Sequence, residues 1–347
     1  MKKLDVVTQD RRNNLNIIRF IAAILVVYSH AYPLGNGGLD PLGRITQSQI
    51  HFGNLAVCVF FFYGGFLISK SVNRQPDAKK FFKARCLRIF PCLWVVVLLS
   101  AVVLGAVVSS VPAGLYFTEG GTWKYLLNGV FLLQHNLPGV FEGNVAGTAV
   151  NGSLWTLPVE FVCYIVCFVA YKLGLLQEKR LKYTIPFFVI GYLIAWKLLS
   201  GIPVIQTALR PCGMFYMGML FYTYRHRITL KLSMVILSIA GLVVGTWLHI
   251  LEFTIFFFLP YLLACLAFGT ERKLDSFGRK TEMSYGIYLC AFPIQQTVTM
   301  LWGGSMEPLL NFVISMPFIL IGGYLLCIGI EHPIARWEMR RKQSSIA

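Results

Sequence analysis

Ten apolar runs, each close to the length a helix needs to cross a bilayer, constrain this chain before any single residue is considered. The hydrocarbon core takes about 20 mostly apolar residues, and the runs fall at about 14–34, 54–72, 89–110, 153–173, 184–200, 204–224, 231–249, 252–269, 283–302 and 309–330. In lipid every backbone N–H and C=O must be satisfied within the segment, so runs of this length read as helices. The expected fold is therefore all-α: a polytopic membrane protein with about ten transmembrane helices in one bundle. A single membrane domain covers residues 1–347, with short tails at 1–13 and 331–347. Composition agrees, since 56% of the 347 residues are hydrophobic and 13% are charged, half the charged share of about 25% usual in soluble domains. The stretch Trp123–Phe141 is too short, and too broken by Gly and Pro, to span; it predicts an interfacial or re-entrant piece. The first run ends in HAYPLGNGG without a small-x-small cleavage site and reads as a retained helix.

The charge balance is 31 basic against 15 acidic residues, a net +16. In a soluble chain that excess would suggest nucleic acid; here its placement gives another reading. With the N-terminus inside, all but five of the basic residues fall in alternate connections on the cytoplasmic side, Arg272–Lys280 among them. Arg44, Lys124 and Lys197 fall on the other side, and Arg19 and Arg210 lie within runs. Both termini are thus expected in the cytoplasm, with the bilayer and not nucleic acid as the partner of the charge. Nine cysteines sit in or beside apolar runs with no CxxC pair and no zinc-type Cys/His spacing, so they read as small buried side chains and no metal is expected.

Four strongly polar side chains lie inside predicted helices: Arg19, His30, Glu160 and Arg210. Each costs at least a few kcal/mol at mid-membrane, which marks it as a functional candidate unless it locks helices together in a buried ion pair. Arg19 and His30 are eleven residues apart, about three turns plus 20°, so they share one helical face about 16 Å apart along the axis. Arg19 falls in the cytoplasmic half and His30 near the outer surface, an arrangement that suits an elongated ligand with an anionic end below and a reactive end above. Glu160, in NGSLWTLPVEF, lies about 10 Å below the outer surface on the fourth helix, near the depth of His30. Pro158 loosens the backbone there and lets Ser153 and Trp155 line a cavity as substrate-binding candidates. Arg210, in ALRPCGMFYMG, is in the outer third of the sixth helix and joins them as a candidate. An imidazole suits proton removal from an alcohol near pH 7, a carboxylate can orient it or hold a sugar hydroxyl, and a guanidinium can stabilise an oxyanion. On the cytoplasmic side Arg85 and Arg88 fall at i, i+3 as the third helix begins, a spacing suited to phosphates. Aromatic residues in the outer loops, Tyr116 and Trp123 among them, could stack on sugars or anchor the interface.

Several of these stretches together resemble the membrane-bound acyltransferase-3 family over essentially the whole chain. RFIAAILVVYSH is similar to its first-helix Arg, ten residues, His pattern, and FFFYGGFLISKS to its second-helix FFxxSGFLI stretch. FFKARCLRIFP resembles its Arg-x-x-Arg-Ile-x-Pro element, NGSLWTLPVEF its SLWxLxxE signature, and MSYGIYLCAFPIQQ and EHPI its closing helices. The resemblance implies transfer of an acyl group, acetyl foremost, from acyl-CoA to a hydroxyl of a bacterial surface polysaccharide or its lipid-linked precursor, in the cell membrane. It implies catalysis by His30 with Glu160 at the active site, and donor binding by Arg19, Arg85 and Arg88. The chain departs from the family pattern twice: Gly64 and Gly65 stand where many members have Ser-Gly, and Ala291 stands before Phe292 and Pro293 where many have a histidine. Direct deprotonation of the acceptor and an acyl-histidine intermediate both remain open at this point. The competing class is a transporter or flippase for an amphiphilic or lipid-linked substrate, which intramembrane charges also suit.

Overall fold

Each apolar run forms a helix. The computed structural model describes residues 2–9, 13–199, 201–269, 276–278 and 281–344. Among them are ten long helices: α1 (Leu15–Gly35), α2 (Phe52–Arg74), α3 (Ala78–Leu98), α4 (Thr156–Lys172), α5 (Glu178–Leu198), α6 (Pro203–Thr223), α7 (Leu232–Trp247), α8 (Leu251–Ala264), α9 (Ser284–Leu301) and α10 (Pro308–Leu326). Three continue through a π-helical turn: α3 at Leu99–Leu104, α8 at Cys265–Gly269 and α10 at Cys327–Glu331, after which α10 runs on as His332–Ser344. Strand pairing among the described residues is limited to the two-residue ladder of Lys2–Lys3 with Thr229–Leu230 and an isolated bridge between Asn136 and Ala149.

By length and composition six of these stretches can cross a membrane: Leu15–Gly35, Phe52–Arg74, Ala78–Val108, Glu178–Leu198, Leu251–Gly269 and Pro308–Arg340. The others fall short of the expected ten on local grounds. Helices α4 and α7 have 17 and 16 residues, and α6 and α9 carry Gln206 and Arg210 and the series Gln295, Gln296, Thr297 and Thr299. The outward faces support a lipid surround. On α5, Phe187, Ile190 and Ile194 are exposed, and on α7 Ile236, Ile239 and Val243 are exposed, an apolar surface that a water-facing protein would cover.

Two boundaries differ from the sequence reading. Helix α3 begins eleven residues before its apolar run because the Asp77 carboxylate accepts the Lys80 N–H at 2.8 Å and so caps a polar first stretch. The tail expected at 331–347 is helical through Ser344. The basic segment Arg272–Lys280 lies mostly outside the described residues, as do Asp10–Arg12 and Ser345–Ala347. The Trp123–Phe141 stretch does not form a long helix, as expected, but short turns and loop. Just before it, Tyr116 is buried and donates to Ala101 O at 2.7 Å, which gives that ring a packing role, whereas Trp123 is exposed.

The chain divides into two compact units. The first comprises Met1–Ala22, Leu42–Phe81 and Val159–Arg279, and the second Ala23–Pro41, Phe82–Pro158 and Lys280–Ala347. In the first, α2 and α6 pack backbone to backbone: a Cβ on Gly65 would collide with Phe215 O and one on Gly218 with Phe62 O. A Cβ on Gly64, at the first departure noted above, would meet only the Phe215 ring at 3.5 Å, an ordinary contact, so that position leaves the packing intact. Helices α7 and α8 form a hairpin, and α5 stacks on α6 through Phe188 and Tyr216, with centroids 4.2 Å apart. In the second unit α9 and α10 form the other hairpin, with Gly286 and Gly323 at their point of close approach.

Candidate active site

The C-terminal half of α1 is held in the second unit by uncharged side chains. Gln295 of α9 donates to Val27 O at 2.9 Å, and Thr299 one turn further donates to Leu34 O at 3.0 Å. Asn311 of α10 ties both together, donating to Gln295 O at 3.1 Å and Thr299 Oγ1 at 2.9 Å. All three are fully buried. Leu34 O is one of the carbonyls a helix leaves unsatisfied at its end, so Thr299 supplies what the backbone lacks. His30 lies between the two gripped carbonyls, three residues after Val27 and four before Leu34. Its ring meets Phe292 edge to face, with centroids 5.4 Å apart at 76°, and its Nδ1 is buried with no hydrogen-bond partner among the described residues. Buried polar atoms are ordinarily hydrogen-bonded, so an unpartnered imidazole nitrogen makes His30 a candidate for a role beyond packing.

The same stretch of α9 holds the NGSLW segment. Asn151 donates to Leu289 O at 2.9 Å, Thr156 and Tyr288 share a hydroxyl–hydroxyl bond of 2.5 Å, and the Tyr288 hydroxyl also donates to Ser153 O. Gly152 lies beneath Phe292: a Cβ there would come within 2.8 Å of the ring. Phe292 therefore contacts His30 and leaves room for no side chain at residue 152, which brings two motifs far apart in sequence onto one aromatic ring. Ala291, at the second departure, is buried.

The remaining candidates take partners that their depth alone did not reveal. Ser153 is buried and its hydroxyl donates to Asn151 Oδ1 at 2.6 Å, so it closes the turn; Trp155 is half-buried. Glu160, on α4 in the first unit, accepts the hydroxyl of Tyr164 one turn on. Arg210 is locked, in the first unit, to Glu252 at the start of α8, with Nε to Oε2 at 2.9 Å, and donates to Gln49 O at 3.0 Å. Tyr192 of α5 also donates to Glu252. The ion-pair partner of Arg210 is thus Glu252, and the arrangement joins α5, α6 and α8.

Arg19 and His30 share the unbroken helix α1, which keeps the three-turn spacing. Arg85 and Arg88 lie on α3, one turn apart. Arg88 contacts two carboxylates in the second unit: Nη2 to Glu282 Oε2 at 2.6 Å and Nη1 to Glu331 Oε2 at 2.8 Å. Glu331 opens the EHPI stretch. Sequence reasoning missed Glu252, Glu282, Glu331, Gln295, Thr299 and Asn311. The one available signal was their place at the ends of apolar runs or as amides and a hydroxyl within them.

A helical membrane protein in which a histidine with a buried Nδ1 and a short polar signature meet on one aromatic ring defines the class, and comparison gives the family. The family model described as an acyltransferase domain matches residues 12–331, nearly the whole chain, and the chain belongs to the acyltransferase-3 family. It is a membrane acyltransferase of the non-aminoacyl kind. An O-acetyl transferase of Shigella phage Sf6 is 28% identical over 294 residues, covering 83% of this chain and 86% of that protein. Nodulation protein 10 of Rhizobium leguminosarum bv. viciae is 33% identical over 159 residues, covering 44% of this chain and 42% of that protein. The acyltransferase MdmB of Streptomyces mycarofaciens is 26% identical over 163 residues, 47% and 40% of the two chains. No solved structure matches.

Proposed function

We propose that this protein is an O-acyltransferase of the cell membrane that moves an acyl group, acetyl foremost, from acyl-CoA to a hydroxyl of a cell-envelope polysaccharide or its lipid-linked precursor. In this reading the chain crosses the membrane ten times with both termini in the cytoplasm. The observation that carries it is His30, whose buried Nδ1 has no partner among the described residues while its ring meets Phe292 edge to face. Similarity to the phage O-acetyl transferase over most of both chains supports the hydroxyl acceptor.

The chemistry follows from the groups in place. Arg19 and Arg85 meet the phosphates of the donor from the cytoplasmic side, and the thioester reaches towards His30 along the shared face of α1. The imidazole takes the proton of the acceptor hydroxyl as its oxygen forms a bond to the thioester carbonyl carbon. The tetrahedral intermediate then breaks its C–S bond, the ester is released, and the CoA thiolate receives the proton from the imidazolium. Glu160 holds an acceptor hydroxyl, and Ser153 and Trp155 shape the acceptor end. Arg210 acts through its frame, since its guanidinium is held by Glu252. The test is release of CoA thiol from acetyl-CoA by the purified protein, together with ester analysis of surface glycans from cells with and without it. Absence of thiol release and of any missing ester defeats the proposal.

A further inference from the structure

The guanidinium of Arg88 has both of its terminal nitrogens on carboxylates, Glu282 at 2.6 Å and Glu331 at 2.8 Å. These two acids come from different elements: Glu282 from the turn entering α9, and Glu331 from the π-helical turn that follows α10. Neighbouring contacts join the same three elements. The Tyr285 hydroxyl donates to Ile89 O at 2.8 Å, its ring centre lies 5.7 Å from the Arg88 guanidinium, and Lys83 Nζ sits 5.1 Å from the ring centre of Trp337. Ser284 donates to the other oxygen of Glu282, which fixes that carboxylate in turn.

The three side chains carry one positive and two negative charges. A phosphate approaching Arg88 has to strip a carboxylate from a bond to a cation. The carboxylates are only 20% and 14% exposed, so a stripped one would be left with little water to replace the bond. We infer that Arg88, Glu282 and Glu331 are a positioning clamp that fixes the inner end of α3 against α9 and α10, and that the donor's phosphates are held by other cations. This assigns a role to the acid of EHPI and separates the two arginines of the Arg-x-x-Arg element. The part that concerns the donor rests on the acyl-CoA reading above; the part that concerns the fold does not.

The experiment uses the full chain in detergent, with thermal midpoint and donor KM as readouts, for Arg88→Ala, for the swap Arg88→Glu with Glu331→Arg, and for Glu331→Gln. The swap keeps one guanidinium among two carboxylates while removing the cation from position 88. The clamp predicts that Arg88→Ala lowers the midpoint by about 5 °C or more and that the swap recovers at least about half of that loss. It also predicts a donor KM for the swap within about fivefold of wild type, and no tightening of donor binding in Glu331→Gln. An unchanged midpoint in Arg88→Ala, a swap that recovers nothing, a folded swap with a KM raised beyond fivefold, or a lowered KM in Glu331→Gln each overturns it. If the wild type turns over no acyl-CoA, the functional reading fails and the midpoints alone decide the clamp.

Discussion

Two regions of the second unit do comparable work by opposite means. Around His30, α1, α9 and α10 are joined by Gln295, Thr299 and Asn311, all uncharged and fully buried. Around Arg88, α3, α9 and α10 are joined by ion pairs whose members are 14% to 37% exposed. The difference follows the solvent. An amide removed from water needs only its hydrogen bonds replaced, whereas an isolated ion removed from water loses far more than one partner returns. Neutral bonds therefore suit the buried region, and charges are used where some water reaches them.

The comparison breaks first at His30. His30→Ala is expected to lower acyl transfer by about 10²–10⁴-fold while the midpoint and membrane insertion stay near wild type, because the ring's Nδ1 contributes no hydrogen bond among the described residues. Retention of more than about a tenth of the activity removes the imidazole from the mechanism. Asn311→Leu comes next. It removes the bonds to Gln295 and Thr299 and should cost about 1–3 kcal/mol in denaturation, with no dependence on salt between low and high ionic strength. A salt-dependent loss would mean that charge reaches the region around His30 after all.

Glu160→Gln sharpens the contrast from the first unit. Arg210 is already paired with Glu252, so loss of the Glu160 charge leaves that cation served. Activity should fall at least about tenfold with little change in stability; an unfolded variant would point to a structural carboxylate, and full activity would remove it from the site. The smallest effect is expected for Arg85→Ala, where donor KM should rise several-fold, about 3–10, with kcat little altered and the salt dependence of KM reduced. A fall in kcat at unchanged KM would assign Arg85 to the chemical step instead.

Much of the candidate site is legible in the amino-acid order alone. His30 with Arg19 on one helical face, and the NGSLW turn near Pro158, are local patterns whose meaning depends on helical spacing and on the cost of polarity in lipid. Arg210 shows where that reading stops. Depth places it in the same outer layer as Glu160, but its partner is Glu252, 42 residues along the chain. Similarly Ser153 reads as a cavity-lining candidate, and only the structure shows that its hydroxyl donates to Asn151 within its own turn.

The sequence by itself determined where the long helices lie, which polar residues sit within them, and how far along its helix each one falls, because a bilayer acts on length and hydropathy one segment at a time. Tertiary structure decided what each polar group touches. Arg88 reaches Glu282 and Glu331 across 194 and 243 residues, and His30 meets Phe292 over Gly152. Hydropathy orders residues along the membrane normal but carries no information about rotation around a helix or the choice of neighbour. Those are set by close packing, by glycines such as Gly152 and Gly65 where nothing larger fits, and by the need of each buried polar atom for a partner.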